Sequence, residues 1–126
     1  MSMRSPLARV RGLGSAKGGT HHWWVQRLTS IALVPLVLWF AASVAPLAGA
    51  SHAEVVAWLA SPVPAVLTIF LVVVVFHHLK LGLEVVIEDY VPVVWQRTTL
   101  IICVTFGCIL FGAAGAFAVL QVALGG

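Results

Sequence analysis

Three long apolar runs separated by short polar stretches set the pattern of this chain. The first extends from about Leu28 to Ala50 without a charge, the second from about Val63 to Asp89, and the third from about Leu100 to Leu124. Roughly 20 apolar residues in a helix cross the hydrocarbon core of a bilayer, so each run predicts a membrane-spanning helix. Pro35 lies inside the first run, where a kink is tolerated if neighbours satisfy the freed carbonyl, and Pro46 predicts its exit. Ser51 to Pro64 reads as a short loop carrying His52, Glu54 and Trp58, the last at interface depth. The third run holds Gly107, Gly112 and Gly115. Small residues let membrane helices approach closely, which predicts that this helix packs against protein. Ahead of the first run, residues 1–26 form a polar, glycine-rich arm. The expected fold is therefore an all-α membrane protein, with an arm over 1–26 and a three-helix transmembrane domain over 27–126.

Composition supports lipid as the solvent. Of 126 residues, 61% are hydrophobic and only 9% charged, where a soluble domain carries roughly 25% charged residues. A soluble fold this short could not hide that much apolar surface, because small domains bury the smallest fraction of their chain. Cys103 and Cys108 are five apart in an apolar run, on different faces of a helix, so no disulfide is expected between them. No Cys/His spacing resembles a zinc site.

The net charge of +3 gives orientation rather than a nucleic-acid partner. Arg4, Arg9, Arg11, Lys17 and Arg27 precede the first span, Arg97 lies between the second and third, and the remaining loop and the C-terminal end carry no Lys or Arg. Positive residues favour the cytoplasmic side, which predicts a cytoplasmic N-terminus, an outer C-terminus, and Asp89 and Tyr90 at the cytoplasmic surface. An arm with four basic and no acidic residues is also compatible with a transit or signal peptide. The apolar run that follows is too long for a signal-peptide core, so the arm reads as retained and cytoplasmic.

Ionisable groups in a membrane are expensive and suggest function, and the second run concentrates them. With His78 at zero and about 100° per residue, Gly82, Val85 and Asp89 fall within about 40° of it. His77, Lys80, Glu84 and Glu88 form a second stripe between about 200° and 280°, in which Lys80 and Glu84 are spaced to pair. With Asp89 at the interface, His78 lies roughly 16 Å deeper, near the midplane. A neutral imidazole there either ligates a haem iron or hydrogen-bonds to a neighbouring helix. Gly82, one turn on, leaves room for a flat macrocycle against the backbone. His77 has no such glycine and reads as a polar packing residue. Tyr90 offers a phenol to a quinone carbonyl or belongs to the aromatic belt. Arg27, with Thr29 and Ser30 beside it, pairs with a haem propionate, a quinone oxygen or lipid phosphate.

The segment from His78 through Gly82 to Asp89-Tyr90, HLKLGLEVVIEDY, resembles the second helix of the D-type hydrophobic anchor of succinate dehydrogenase (respiratory complex II). In that family a histidine, a glycine four later and an Asp-Tyr pair eleven and twelve later recur together. The segment from Gly18 to Ser30, GGTHHWWVQRLTS, is similar to the N-terminal entry of these anchors in alphaproteobacteria. The resemblance covers nearly the whole chain. It implies a multi-pass subunit of a bacterial inner membrane whose bundle is completed by a C-type cytochrome b556 anchor subunit. It also implies docking of the iron–sulfur and flavoprotein subunits, in the electron transfer chain and the tricarboxylic acid cycle. The cofactors implied are haem b, with one histidine from each anchor, and ubiquinone as substrate. Carried onto this sequence, His78 would be the axial ligand of the haem iron, Tyr90 the quinone hydrogen-bond donor and Asp89 its support. Arg27 would lie near the haem propionates or quinone. The chain alone would not be catalytic.

Two other readings remain open at this level: a haem-free structural anchor in which His78 only packs, and a small carrier using His78, Lys80 and Glu84 as a relay. The orientation has a direct check. A phosphatase that works only outside the cytoplasm, fused at Gly126, should be active; activity of a cytoplasm-only reporter at that point would overturn the topology.

Overall fold

The computed structural model of the chain describes residues 17–125, so Arg4, Arg9, Arg11 and most of the predicted arm lie outside the described residues. Four α-helices and one short 3-10 turn make up the fold, and no strand occurs among the described residues. Helix α1 is Lys17–Val44, α2 is His52–Ala60, α3 is Pro62–Tyr90 and α4 is Val94–Ala123. The first, third and fourth are long and apolar enough to cross a membrane. A helix satisfies most of its backbone groups internally, which is the requirement lipid imposes; in α1, Pro35 has no N–H to donate and frees one carbonyl.

The second predicted span matches α3 almost to the residue, because proline marks both of its ends. Pro62 and Pro64 occupy its first turn, where a missing N–H costs nothing. Pro92 follows two residues after its last, and the residue before a proline is pushed out of helical geometry. The other boundaries differ from the sequence expectation. Helix α1 begins at Lys17, inside what reads as the arm, and ends at Val44. Its extra turns are polar yet hold helical geometry because His22 faces α3, where it meets Glu84. After Val44 the chain tightens into a 3-10 turn over Ala45–Leu47 that contains Pro46, so that proline marks the exit as expected. Gly49, at φ 83°, then turns the chain with a conformation that only glycine adopts at no cost. Pro35 sits within α1 without ending it.

Much of the expected loop is helix α2. Ser51 caps it: its hydroxyl accepts from the Glu54 amide and its own amide donates to Glu54 Oε2 at 2.7 Å. Two orphan amides of the first turn are satisfied reciprocally. The Ser51 backbone amide above all, with its hydroxyl as a second donor, holds the Glu54 carboxyl below its usual range. Trp58 of α2 stacks on Trp39 of α1, with ring centroids 6.1 Å apart, and closes this end of the bundle.

Helix α3 is the central element. Toward α1 it presents Leu71 and Val74, which form the core with Leu36 and the flanking Ala32, Leu33, Phe40, Leu67 and Val75. Toward α4 it presents Val72 and Phe76. A Cβ on Gly115 would lie 3.1 Å from Val72 Cγ1, and one on Gly112 would lie 3.3 Å from Phe76 Cβ. The close approach expected of the glycine-rich helix is thus made at those two positions, while Gly107 faces open space. Large apolar side chains such as Leu38, Phe106, Leu110 and Phe111 point outward. That arrangement suits lipid or another membrane helix and would be untenable in water.

Candidate functional site

The chemistry gathers where α1 crosses the C-terminal half of α3, the half predicted to be cytoplasmic. Heptad-like spacing on α1 puts His22, Thr29 and Leu36 on one face, and α3 answers with Glu84, His78 and Leu71. Two polar links therefore join the helices at successive depths. At the deeper level, Thr29 Oγ1 lies 2.8 Å from His78 Nδ1. Nearer the predicted cytoplasmic end, His22 Nε2 lies 3.5 Å from Glu84 Oε2. The six-residue step along α3 between them is about 9 Å.

Thr29 is only 8% exposed, and its hydroxyl has three neighbours. Besides His78 Nδ1 it lies 2.9 Å from the carbonyl of Val25 and 2.9 Å from that of Gln26. Side-chain to backbone bonds of this kind hold a threonine rotamer in a helix, so the oxygen facing His78 is fixed in place. His78 itself is half-buried, with one ring nitrogen engaged by Thr29. A Cβ built on Gly82 meets nothing within 4 Å, which leaves a notch one turn from the imidazole. Around that notch the surface of α3 is unpartnered: Leu79, Leu83, Val85 and Val86 are all exposed, and the lane runs on to Asp89 and Tyr90.

Two members of the second stripe pair with each other, while His77 and Glu88 are exposed. Lys80 Nζ pairs with Glu84 Oε1 at 3.1 Å, as the four-residue spacing predicts, while the other carboxylate oxygen faces His22. Opposite charges compensated at close range are the arrangement that makes ionised groups tolerable away from water. His77 is exposed and lines, with Lys80, Val73, Phe76, Cys108 and Gly112, a cavity of about 230 Å³ between α3 and α4. His77 and His78 thus project toward different helices, and only His78 meets α1.

The remaining sequence candidates are not drawn to His78. Tyr90 is 81% exposed at the last residue of α3, with Asp89 exposed beside it. Arg27 is exposed, and its guanidinium sits over the Trp23 ring at 5.1 Å. Two residues from Thr29 is nearly the opposite side of a helix, so Arg27 faces away from the α1–α3 contact. Among the described residues no cluster of three or more His, Cys, Asp or Glu gathers in metal-ligand fashion, and Cys103 and Cys108 are free thiols. Gln26 Oε1 and Thr68 Oγ1 are buried without a hydrogen-bond partner there. Thr29 and His22 were not singled out as functional from the sequence. Their one signal is spacing: both lie on the α1 face that also carries Leu36.

A family model described as succinate dehydrogenase/fumarate reductase transmembrane subunit matches residues 1–114. The chain is 36% identical over 108 residues to a succinate dehydrogenase hydrophobic membrane anchor subunit of Rickettsia bellii, covering 85% of this chain and 86% of that protein. It is 32% identical over 121 residues to the protein of the same description from Paracoccus denitrificans, covering 96% and 93%. A Rickettsia conorii protein of that description is 34% identical over 108 residues, covering 85% and 86%. No solved structure matches the chain.

Proposed function

Since the chain belongs to the succinate dehydrogenase/fumarate reductase transmembrane subunit family and is a membrane-anchor subunit, we propose that His78 supplies one axial ligand to a haem b, and that Tyr90 with Asp89 forms part of a ubiquinone site. The observation that carries the reading is the pairing of His78 with Thr29 beside the open notch at Gly82.

The residues fit the group. A haem ligand of the b type needs one imidazole nitrogen free for iron and the other held by an outer partner. His78 has Nδ1 held and, at Gly82, space for a flat ring system. One such histidine cannot make both axial bonds, so the second comes from another subunit. We assign that role to a C-type anchor bearing its own midplane histidine, and place it against the exposed lane of Leu79, Leu83 and Val86. The iron–sulfur and flavoprotein subunits complete the complex on the cytoplasmic side, where the basic end of the chain lies. When bound, haem b supplies one-electron chemistry at its iron.

The chain's own residues then bind and orient. His78 would hold the haem iron, and the open space at Gly82 would leave room for the macrocycle. Tyr90, at the last residue of the same helix, offers an O–H to a quinone oxygen, and Asp89, the preceding residue, would support that phenol once the quinone is seated. A donor aimed at an oxygen that gains charge on reduction is worth more in the product than in the reactant. Because it faces away from Thr29, Arg27 contacts a propionate or quinone oxygen only across the interface with the partner anchor. The carrier reading loses support from the closed Lys80–Glu84–His22 set, whose charged groups are already paired rather than arranged along an open path.

His78→Ala should abolish or strongly shift the haem b spectrum of the purified complex, while His77→Ala should leave it unchanged; reduced-minus-oxidised difference spectra decide between them. An unaltered haem signal in the His78 variant would sink the ligand assignment.

Tyr90→Phe should slow quinone reduction by about 2- to 12-fold, the equivalent of one net hydrogen bond of roughly 0.5–1.5 kcal/mol. Succinate oxidation by an artificial soluble acceptor should stay at the parent rate. Both are measured in the same membranes and normalised to haem. A quinone reductase rate equal to the parent's would leave Tyr90 as an aromatic-belt residue.

A further inference from the structure

We propose that Thr29 is the positioning residue that fixes the tautomer and ring orientation of His78, turning Nε2 into the free, iron-facing nitrogen. The inference deepens the haem reading above and rests on it.

Thr29 Oγ1 carries a single hydrogen and is surrounded by the Val25 carbonyl, the Gln26 carbonyl and His78 Nδ1, at 2.9, 2.9 and 2.8 Å. Carbonyl oxygens only accept. If the hydroxyl donated to Nδ1, its own lone pairs would face two carbonyl oxygens at contact distance with no proton between. If Nδ1 carries the hydrogen and donates to Oγ1, the hydroxyl proton is free to be shared between the two carbonyls. Only the second arrangement uses the oxygen as both donor and acceptor. A neutral imidazole protonated at Nδ1 has its lone pair at Nε2, the nitrogen farther from the backbone and so better able to reach a metal.

The helix backbone makes this device stiff. Thr29 is buried, its rotamer is tied to its own helix, and that helix is locked to α3 through the Leu36–Leu71–Val74 core and the His22–Glu84 contact. The imidazole is therefore held in one orientation before any iron arrives. Such outer partners raise the basicity of a ligating histidine, and losing one typically costs about 10- to 100-fold in metal affinity. A stronger imidazole donor favours ferric over ferrous iron, so Thr29 also holds the reduction potential down.

The test uses the assembled complex with Thr29→Val, which keeps shape but removes the hydroxyl, and Thr29→Ser, which keeps the hydroxyl and removes the methyl. Haem per complex is measured after dilution in detergent, and the haem midpoint potential by potentiometric titration of the visible band. The valine variant should lose haem about 10- to 100-fold more readily and titrate at a higher potential; the serine variant should match the parent in both. Succinate oxidation by an artificial acceptor reports assembly in each case. Parent-like haem retention and potential in the valine variant would overturn the proposal. So would a serine variant shifted away from the parent, even if the valine variant failed to assemble. If His78→Ala removes haem but Thr29→Val changes nothing, Thr29 alone is refuted; if His78→Ala keeps its haem, the ligand reading itself falls.

Discussion

An imidazole near the middle of a bilayer has no water to satisfy it, and the hydrogen bond it makes instead determines how the helices around it must lie. In this chain that bond runs from His78 to Thr29. It sets the register of α1 against α3, since a slide of one residue on either helix would turn one of the two groups away. The apolar core of Leu36, Leu71 and Val74 lies on the same faces one to two turns away, and the His22–Glu84 contact lies on the other side of the bond, toward the N-terminus of α1. Dispersion and polar pairing thus enforce a single alignment. Lipid offers no hydrophobic drive for helix association, and small residues and polar contacts take its place. On the other side of α3 the same task falls to Gly112 and Gly115, which bring α4 within contact of Phe76 and Val72.

That division gives α3 two different sides. Against α4 it approaches closely at Gly112 and Gly115 and borders the cavity that His77 and Lys80 line. Beside α1 it bears the one histidine with an ordered outer partner. Between them runs the lane of exposed apolar residues with a notch at Gly82, ending in Asp89 and Tyr90. On the reading proposed above, such a membrane-anchor subunit would be half of a site: His78 and Tyr90 would supply an oriented ligand and a surface phenol, and the exposed apolar face would receive the helix bundle that supplies the rest.

Much of this was legible in the residues and some was not, for identifiable reasons. The three spans follow from run length, and α3 is bounded by Pro62, Pro64 and Pro92, which act locally. Helix α1 reaches back to Lys17 because its polar turns are held by α3, a tertiary effect that hydropathy cannot register. The Ser51–Glu54 capping box is present in the sequence, but hydropathy registers runs of membrane length and gives no signal for the short α2. His78, Gly82 and Asp89 share a stripe by helical arithmetic alone. Thr29 could not be paired with His78 that way, since periodicity fixes faces within one helix and never the register between two. Arg27 stacks on Trp23, and whether its guanidinium meets a propionate, a quinone oxygen or lipid phosphate depends on the partner across the interface, which periodicity within one helix does not reach.

The central claim is that His78 reaches this complex's iron through Nε2 because Thr29 holds Nδ1. The most direct measurement is a structure of the assembled complex, with its partner anchor and haem, at a resolution that separates the two ring nitrogens. The account predicts iron at bonding distance from His78 Nε2, with Nδ1 still within hydrogen-bond distance of Thr29 Oγ1. Iron on His77, on Nδ1 of His78, or on no residue of this chain would contradict it.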